Sequence, residues 1–511
     1  MKRMIAAHFF SSKKLLVVIW FLAIALRMQN FLLPPIDAHP MRQTDTESVA
    51  YYFATVDYSP LRPQASLIRP QTNIHGYFFL EFPAYEYLIG TMYWIFGTSY
   101  IVARLINVLL FSVSFALLFK TIEKLFSEKL AIWTVLLFSF TPSSVFFWGH
   151  AIHPDIFAIT TVVSSLYVLQ SNKRNLFTLS VAGVLFALSV GTRPFILMAL
   201  PSLLSVLFFK KAKWWEYLVF SVLSVSIYGF WSWWQQLSPE ADAAWQQWTL
   251  QGREALFSFA GWKHLIWRNT SGEVLGRVAT VLAAVGLGSL LIKSRSVFQL
   301  FKQFSLQKII KLVATVDTIS ADTRLLVFCV LWLLAVPMYW YIAPAGNAAH
   351  QYYANVFLLP LMLLAAQGCF FLSHRRHNAP WHFGMSLVLV LALIYNTVRT
   401  SAYFFHNLVP AHHLDIAQEI EMVIPKGQKI VYLAVNNSVP FSLAHRQGWM
   451  LGGAPTDVNN TATDVLAMKQ YGAQYAVFAF DNNDFPKEEQ KLLEQQSEVI
   501  YRSKVLTVFK L

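Results

Sequence analysis

Apolar stretches of bilayer length recur along this chain with short basic clusters between them, and no other feature restricts its fold so severely. Leu130 to Trp148, Asn175 to Ser189 with its flanks, and Leu325 to Ile342 are windows of this kind, matching the roughly 18 apolar residues that suggest a span. Only 13% of the 511 residues are charged and 56% are hydrophobic, against roughly 25% charged in soluble domains. The chain is therefore read as an α-helical polytopic membrane protein.

The net charge of +13 does not point to nucleic acid, because the basic residues form neither one face nor one arm. They fall between apolar runs: Lys13 and Lys14; Lys120, Lys124 and Lys129; Lys173 and Arg174; Lys210, Lys211 and Lys213; Arg375 and Arg376. That is the pattern of cytoplasmic loops under the positive-inside rule. The two cysteines, Cys329 and Cys369, lie in apolar stretches and support neither a disulfide framework nor a thiolate metal site. Lys2 and Arg3 precede the apolar run Leu15 to Leu26 with no small-residue cleavage pattern after it, which reads as a retained signal anchor.

With the N-terminus inside, about eleven spans keep every basic cluster cytoplasmic. They run near Leu15 to Leu33, Tyr100 to Phe119, Leu130 to Trp148, Ile156 to Leu169, Leu176 to Val190, Phe195 to Phe209, Trp215 to Gln235, Val274 to Ile292, Leu325 to Ile342, Val356 to Leu372 and Phe383 to Tyr403. The condition is that Tyr77 to Phe96 does not cross. Glu81 and Glu86 interrupt it, and a mid-bilayer charge costs about 3 kcal/mol on insertion scales. The first outer loop, 34–99, thus carries interfacial helices. Residues 294–322 read as a basic amphipathic helix on anionic lipid.

After Tyr403 the composition changes to a small α/β pattern. Helices are expected over Leu414 to Ile424, Thr463 to Tyr471 and Pro486 to Gln496, and strands over Lys429 to Ala434, Tyr475 to Phe480 and Val505 to Leu511. The chain is divided into a membrane domain, 1–403, and a non-cytoplasmic C-terminal domain, 404–511.

Charge is rare inside membranes, so polar residues gathered on one face carry functional weight. Four clusters share the outer face in this topology: Asp37, His39, Arg42 and Asp45; His150, His153 and Asp155; the run from Glu240 to Glu273; and His350, Gln351, Tyr352 and Tyr353.

Several ordered segments carry a resemblance: HPMRQTDTESVAYYFA (39–54), EFPAYEYLIGTMYWIFG (81–97), GHAIHPDIFAI (149–159), TRPFILMALPSL (192–203), AGNAAHQYYANVFLLPL (345–361) and HRQGW (445–449). Together they resemble the glycosyltransferase C (GT-C) superfamily, in its bacterial branch related to protein O-mannosyltransferases and the lipid A aminoarabinose transferase. The resemblance implies a sugar transfer from a polyprenyl-phosphate donor to a glycan, lipid or protein acceptor. It places the work on the non-cytoplasmic face of a bacterial inner membrane.

By that resemblance the first acid of the outer loop is the general base. Asp45 corresponds best and Asp37 is the rival. Inverting transfer needs a carboxylate to take the acceptor's proton; the bland alternative for Asp45 is a helix N-cap or first-turn acid. Asp155 matches a position near the family's cavity, with helix capping as its alternative. A lipid-phosphate leaving group requires fixed positive charge, and Arg42, Arg104 and Arg193 are the arginines near outer span ends. Arg104 and Arg193 could instead snorkel to headgroups. His350, Gln351 and Tyr352, with Glu81, His39 and Asp37, complete the expected donor site. His39, His150, His153, His350 and Glu81 also offer ligands to a divalent metal, without the spacing of a recognised site.

Two departures matter. The aminoarabinose transferase carries Asp-Glu and Lys-Pro-Pro elements, where this chain has Asp45-Thr46 and Glu81-Phe82-Pro83, so phosphate and metal coordination are not carried across. The alternative from another class is a transporter or flippase for a lipid-linked saccharide; against it stand the absence of pseudo-repeated broken spans and of a mid-span acid.

Overall fold

The computed structural model describes residues 12–68, 73–171, 175–238, 258–294, 319–374, 379–433, 438–451, 462–479 and 487–511. The amphipathic segment expected over 294–322 lies almost wholly outside them, as do Lys173, Arg174, Arg375 and Arg376. Among the described residues four helices are long and apolar enough to cross a membrane: Tyr100–Leu125, Ala321–Ile342, Gln351–Ser373 and Pro380–His406. Asp155–Leu169, Leu176–Thr192 and Pro194–Phe209 are apolar but shorter.

One expected span is a broken helix, and another is preceded by a sharply bent one. Leu130 to Trp148 divides into Glu128–Phe140 and Pro142–Phe147, because Pro142 has no N–H to continue the ladder. Ala260–Val274 and Arg277–Lys293 meet at 108°. The corner is Gly276 at φ 84, a conformation that costs glycine little.

The first helix, Ser12–Arg27, stops six residues before the expected Leu33. Asn30 at φ 52 leaves the right-handed helix, and Pro34 and Pro35 have no N–H to bond the Asn30 and Phe31 carbonyls. Arg104, from the next long helix, serves these acceptors instead: its Nη1 donates to the carbonyls of Asn30 (2.6 Å), Phe31 (2.9 Å) and Leu33. Arg27 is also buried, donating to Ser139 O and Ser144 O and lying 3.7 Å from the Phe111 ring centre.

One apolar core joins these helices. Backbones come closest where Arg277–Lys293 crosses Leu358–Ser373. A Cβ on Gly286 would lie 1.8 Å from Leu364 O, and one on Gly368 2.0 Å from Leu282 O; small residues permit such approaches between membrane helices.

The C-terminal residues form a five-stranded sheet in the order β2-β1-β3-β5-β4. Its strands are β1 (Lys429–Leu433), β2 (Gly448–Leu451), β3 (Ala473–Ala479), β4 (Glu498–Arg502) and β5 (Leu506–Lys510). β1 pairs in parallel with β2 and β3, and β5 runs antiparallel to β3 and β4. β2 and β4 were not expected. The first is four residues long, and the second is largely exposed and lacks an apolar alternation.

The sheet does not stand apart. Ser66 O accepts from Gly448 N (2.9 Å) and Ile68 N donates to Gly448 O (2.8 Å), so a first-loop segment extends the edge at β2. Ile36 and Leu67 belong to the sheet's apolar core.

Candidate functional site

The loop helix Pro40–Thr55 begins with Pro40 after His39, whose φ of 57 and ψ of 47 are left-handed. Proline suits a first helical turn, whereas a non-glycine residue at positive φ is strained, a feature that clusters at functional sites. This start sets Arg42 and Asp45 three residues apart on one helix face. Asp45 is half-buried and in the second turn, so it does not cap the helix.

Arg42 bonds Glu81, which precedes the helix Ala84–Phe96. Phe82 N donates to Gly191 O (2.9 Å), pinning that segment to the end of Leu176–Thr192; a Cβ on Gly191 would lie 2.8 Å from Ile227 and 3.3 Å from Phe82. Arg193, two residues on, reaches Glu81 through Nη1 (2.8 Å) and Asp155 through Nε. Asp155 opens the helix Asp155–Leu169 and accepts from Asn355 Nδ2 (2.6 Å), and Ser143 donates to Asn355 Oδ1. Arg193 Nη2 lies 3.0 Å from His153 Nε2. Side chains from six separate segments thus form one polar chain, and it is reachable: Arg42, Glu81 and Arg193 are 12%, 12% and 16% exposed.

A wall of rings stands beside it. His39 Nε2 is 2.8 Å from Gln351 Oε1, and the His39 ring packs against those of Phe147, His350 and Tyr352. His350 stacks on Tyr352 at 5.1 Å, and the Arg193 guanidinium lies 5.7 Å from the Tyr352 ring centre, within cation–π range.

Burial and charge set the protonation states. Burial would raise Glu81, but Arg42 and Arg193 outweigh it and hold the carboxyl below its ordinary range. Glu86 is pushed up to about 7 by burial, with Glu81 adding to the effect, and its Oε2 is buried without a hydrogen-bond partner among the described residues. His153 falls to about 4 because burial outweighs the pull of Asp155, with the Arg193 and Arg42 charges pushing the same way as burial. His350 falls to about 4 through burial, helped by His39, Arg42 and His153. Burial lowers His39 as well.

Asp37 and Arg104 stand in a second cluster. Asp37, 1% exposed, accepts from Gln43 Nε2 (2.6 Å) and lies 2.6 Å from His150 Nε2 and 3.6 Å from Arg104 Nη2. Despite burial, His150 and Arg104 hold its carboxyl below the ordinary range. Gln43 Oε1 accepts from Ile152 N (3.0 Å), and His150 Nδ1 is 3.0 Å from Arg27 O. A third group joins the loop helix to the sheet: His445 Nε2 is 3.2 Å from Glu47 and the imidazole stacks on Tyr51 at 3.9 Å.

The structure therefore brings together Arg42, Glu81, Asp155 and Arg193, with His39, His350, Gln351 and Tyr352 alongside, and sets Asp37 and Arg104 apart. Of the cluster expected from Glu240 to Glu273, residues 239–257 lie outside the described residues, and Glu273 pairs with Arg268. Asn355 was missed as a site residue; its signal is an amide at the head of the apolar run ANVFLLPL. Among the described residues no group of three or more His, Cys, Asp or Glu could hold a metal ion. The residues do not fit a divalent cation, because two guanidiniums already neutralise Glu81 and Asp155.

A family model described as dolichyl-phosphate-mannose-protein mannosyltransferase matches residues 81–234, the stretch holding Glu81, Arg104, His153, Asp155 and Arg193. No curated protein matches the sequence. Among solved structures, ArnT from Cupriavidus metallidurans bound to undecaprenyl phosphate aligns with TM-score 0.58 at 13% identity, over 98% of each chain. The Archaeoglobus fulgidus oligosaccharyltransferase in complex with Zn and sulfate aligns with TM-score 0.56 at 12% identity, over 91% of this chain and 68% of that one. Arabinofuranosyltransferase AftD from Mycobacteria gives TM-score 0.53 at 14% identity, over 98% of this chain and 42% of its own. The chain shares its fold with these three solved structures, and the family-model match agrees with the resemblance drawn from the motifs.

Proposed function

We propose that this chain is a membrane glycosyltransferase that moves a sugar from a polyprenyl-phosphate donor to a glycan, lipid or protein acceptor on the outer face of a bacterial inner membrane. The observation that carries this reading is the run Arg42–Glu81–Arg193–Asp155, a partly exposed pair of guanidiniums held by two carboxylates at the end of the bundle bearing the first loop. The undecaprenyl phosphate of the ArnT structure supports the donor class. Residues 1–403 would form the transferase body and 404–511 an outer domain bracing the first loop.

In this reading the acceptor oxygen attacks the anomeric carbon as the bond from that carbon to the phosphate oxygen breaks on the opposite side, inverting the centre. The acceptor's proton passes to Asp45, and the phosphate leaves on its isoprenoid, its charge met by Arg42 and Arg193. Asp155 is a positioning residue that aims Arg193, and Glu81 does the same for both arginines. His39, His350, Gln351 and Tyr352 would flank the sugar. Asp37 and Arg104 are assigned to support, because the Asp37 carboxylate and the Arg104 Nη atoms are already engaged by buried protein partners.

The test is purified Asp45→Asn, assayed for transfer from a polyprenyl-phosphate sugar. A loss of about a hundredfold or more with an unchanged unfolding temperature is expected, and product analysis should show inversion. Full activity in that variant would reject the role.

A further inference from the structure

The Tyr100–Leu125, Asp155–Leu169 and Leu200–Phe209 helices have their other ends far from this site. Fifteen residues separate Asp155 from Gln170, roughly 22 Å of helix. There the chain forms a pocket of about 160 Å³ in which Lys124, Gln170, Lys210 and Arg324 stand among five apolar side chains. One water needs roughly 10–15 Å³ on this kind of measure, so the space admits a larger group.

Its chemistry is one-sided. Three of the nine lining residues are cationic and none is acidic. Asp322 is turned elsewhere, pairing with Lys293 (3.0 Å) and accepting from Gln367 Nε2 (3.4 Å). Lys124 Nζ donates to Gln170 O (2.6 Å), and Lys210 Nζ donates to the same carbonyl and to Ser171 O (3.3 Å). These bonds complement the negative end of the Asp155–Leu169 helix, and on that ground alone the lysines would be simple caps.

Two further observations ask for more. The Gln170 side chain is fully buried, and neither its Oε1 nor its Nε2 has a hydrogen-bond partner among the described residues. Arg324 Nε, across the cavity, is likewise buried without one. A bound anion with oxygen acceptors would take up the two buried donors, Gln170 Nε2 and Arg324 Nε, which are costly to leave unpaired. The five apolar lining residues suit the acyl region of a lipid better than open solvent.

The geometry points to a phosphate-binding site at this end of the bundle, one that takes the headgroup phosphate of an anionic phospholipid between the span ends. Lys124, Lys210 and Arg324 supply charge, and the Gln170 amide supplies a donor. Basic pockets between helices on the cytoplasmic side recognise lipid headgroups in this manner, and the positive-inside reading puts this end there. The site is independent of the sugar-transfer reading.

The test is thermal unfolding of the purified full-length protein in detergent, titrated with phosphatidylglycerol, phosphatidylcholine or inorganic phosphate. Phosphatidylglycerol should raise the unfolding temperature and phosphatidylcholine should not. Arg324→Gln should raise the half-saturating concentration about tenfold, the loss expected for one charge-assisted bond, whereas the exposed Lys120→Gln should not. If Arg324→Gln fails to fold, Gln170→Leu provides the same comparison with no charge removed. Protection by inorganic phosphate at low concentration upholds the anion site and assigns it to a soluble phosphate. Equal protection by both lipids, or equal losses in Arg324→Gln and Lys120→Gln, overturns the proposal.

Discussion

Asp37 and Arg42 lie five residues apart in one loop, yet they enter clusters of opposite character. Around Asp37 every partner is sealed in: Arg104 and His150 are 0% exposed, and the Arg104 Nη1 donor is spent on main-chain carbonyls. Around Arg42 the charges pair with one another at the margin of solvent and face a wall of rings. Like residue types thus serve as a latch in one place and as a receptive surface in the other. What separates them is whether the guanidinium still has an open side.

The widest separation should come from Arg104→Gln. It leaves Asp37 buried without its guanidinium and three carbonyls without their donor, so a loss of about 3–5 kcal/mol is expected, read as a collapse in unfolding temperature or in folded yield. Arg42→Gln should do the reverse, retaining the fold while lowering turnover about a hundred- to a thousandfold, or about 2.7–4 kcal/mol of transition-state stabilisation. If Arg104→Gln folds normally and Arg42→Gln does not, the division between the clusters is drawn in the wrong place.

A finer probe is Glu86, buried beside the Arg42 cluster. The unfolded chain releases this proton near the ordinary 4.5, whereas the folded protein keeps it to about 7. Between those values the folded state holds more protons, so stability falls as pH rises through that window. Glu86→Gln should therefore be more stable than the parent at pH 8, by at most about 3 kcal/mol, with the advantage shrinking toward pH 5. Equal unfolding temperatures for parent and variant across that range would show Glu86 to be solvated.

Much of this was legible because charge is so scarce in the chain. Glu81, Asp155, Arg193 and Arg42 stand out against apolar neighbours, and the motif order supplied their common face. Their pairing was not legible: Arg193 and Glu81 are 112 positions apart, and periodicity says nothing of such distances. Nor did any local signal divide Arg104 from Arg193, since both follow the start or end of an apolar helix. The broken spans had a visible cause in Pro142 and Gly276, but span length alone did not show how sharply the chain turns. The strand Gly448–Leu451 escaped notice because it is only four residues long beside β1, and nothing local marks its further bridge to Leu67, more than 350 residues earlier.

That pairing bears on when the protein can begin to work. Synthesis proceeds from the N-terminus, and domains generally fold as units. The loop carrying Arg42 and Asp45 is clasped by a backbone contact from residue 448, so nascent chains that have already threaded their helices into the lipid would still lack the brace for their working end. Newly made molecules would lack that brace until the segment around residue 448 has been synthesised and has paired with the first loop.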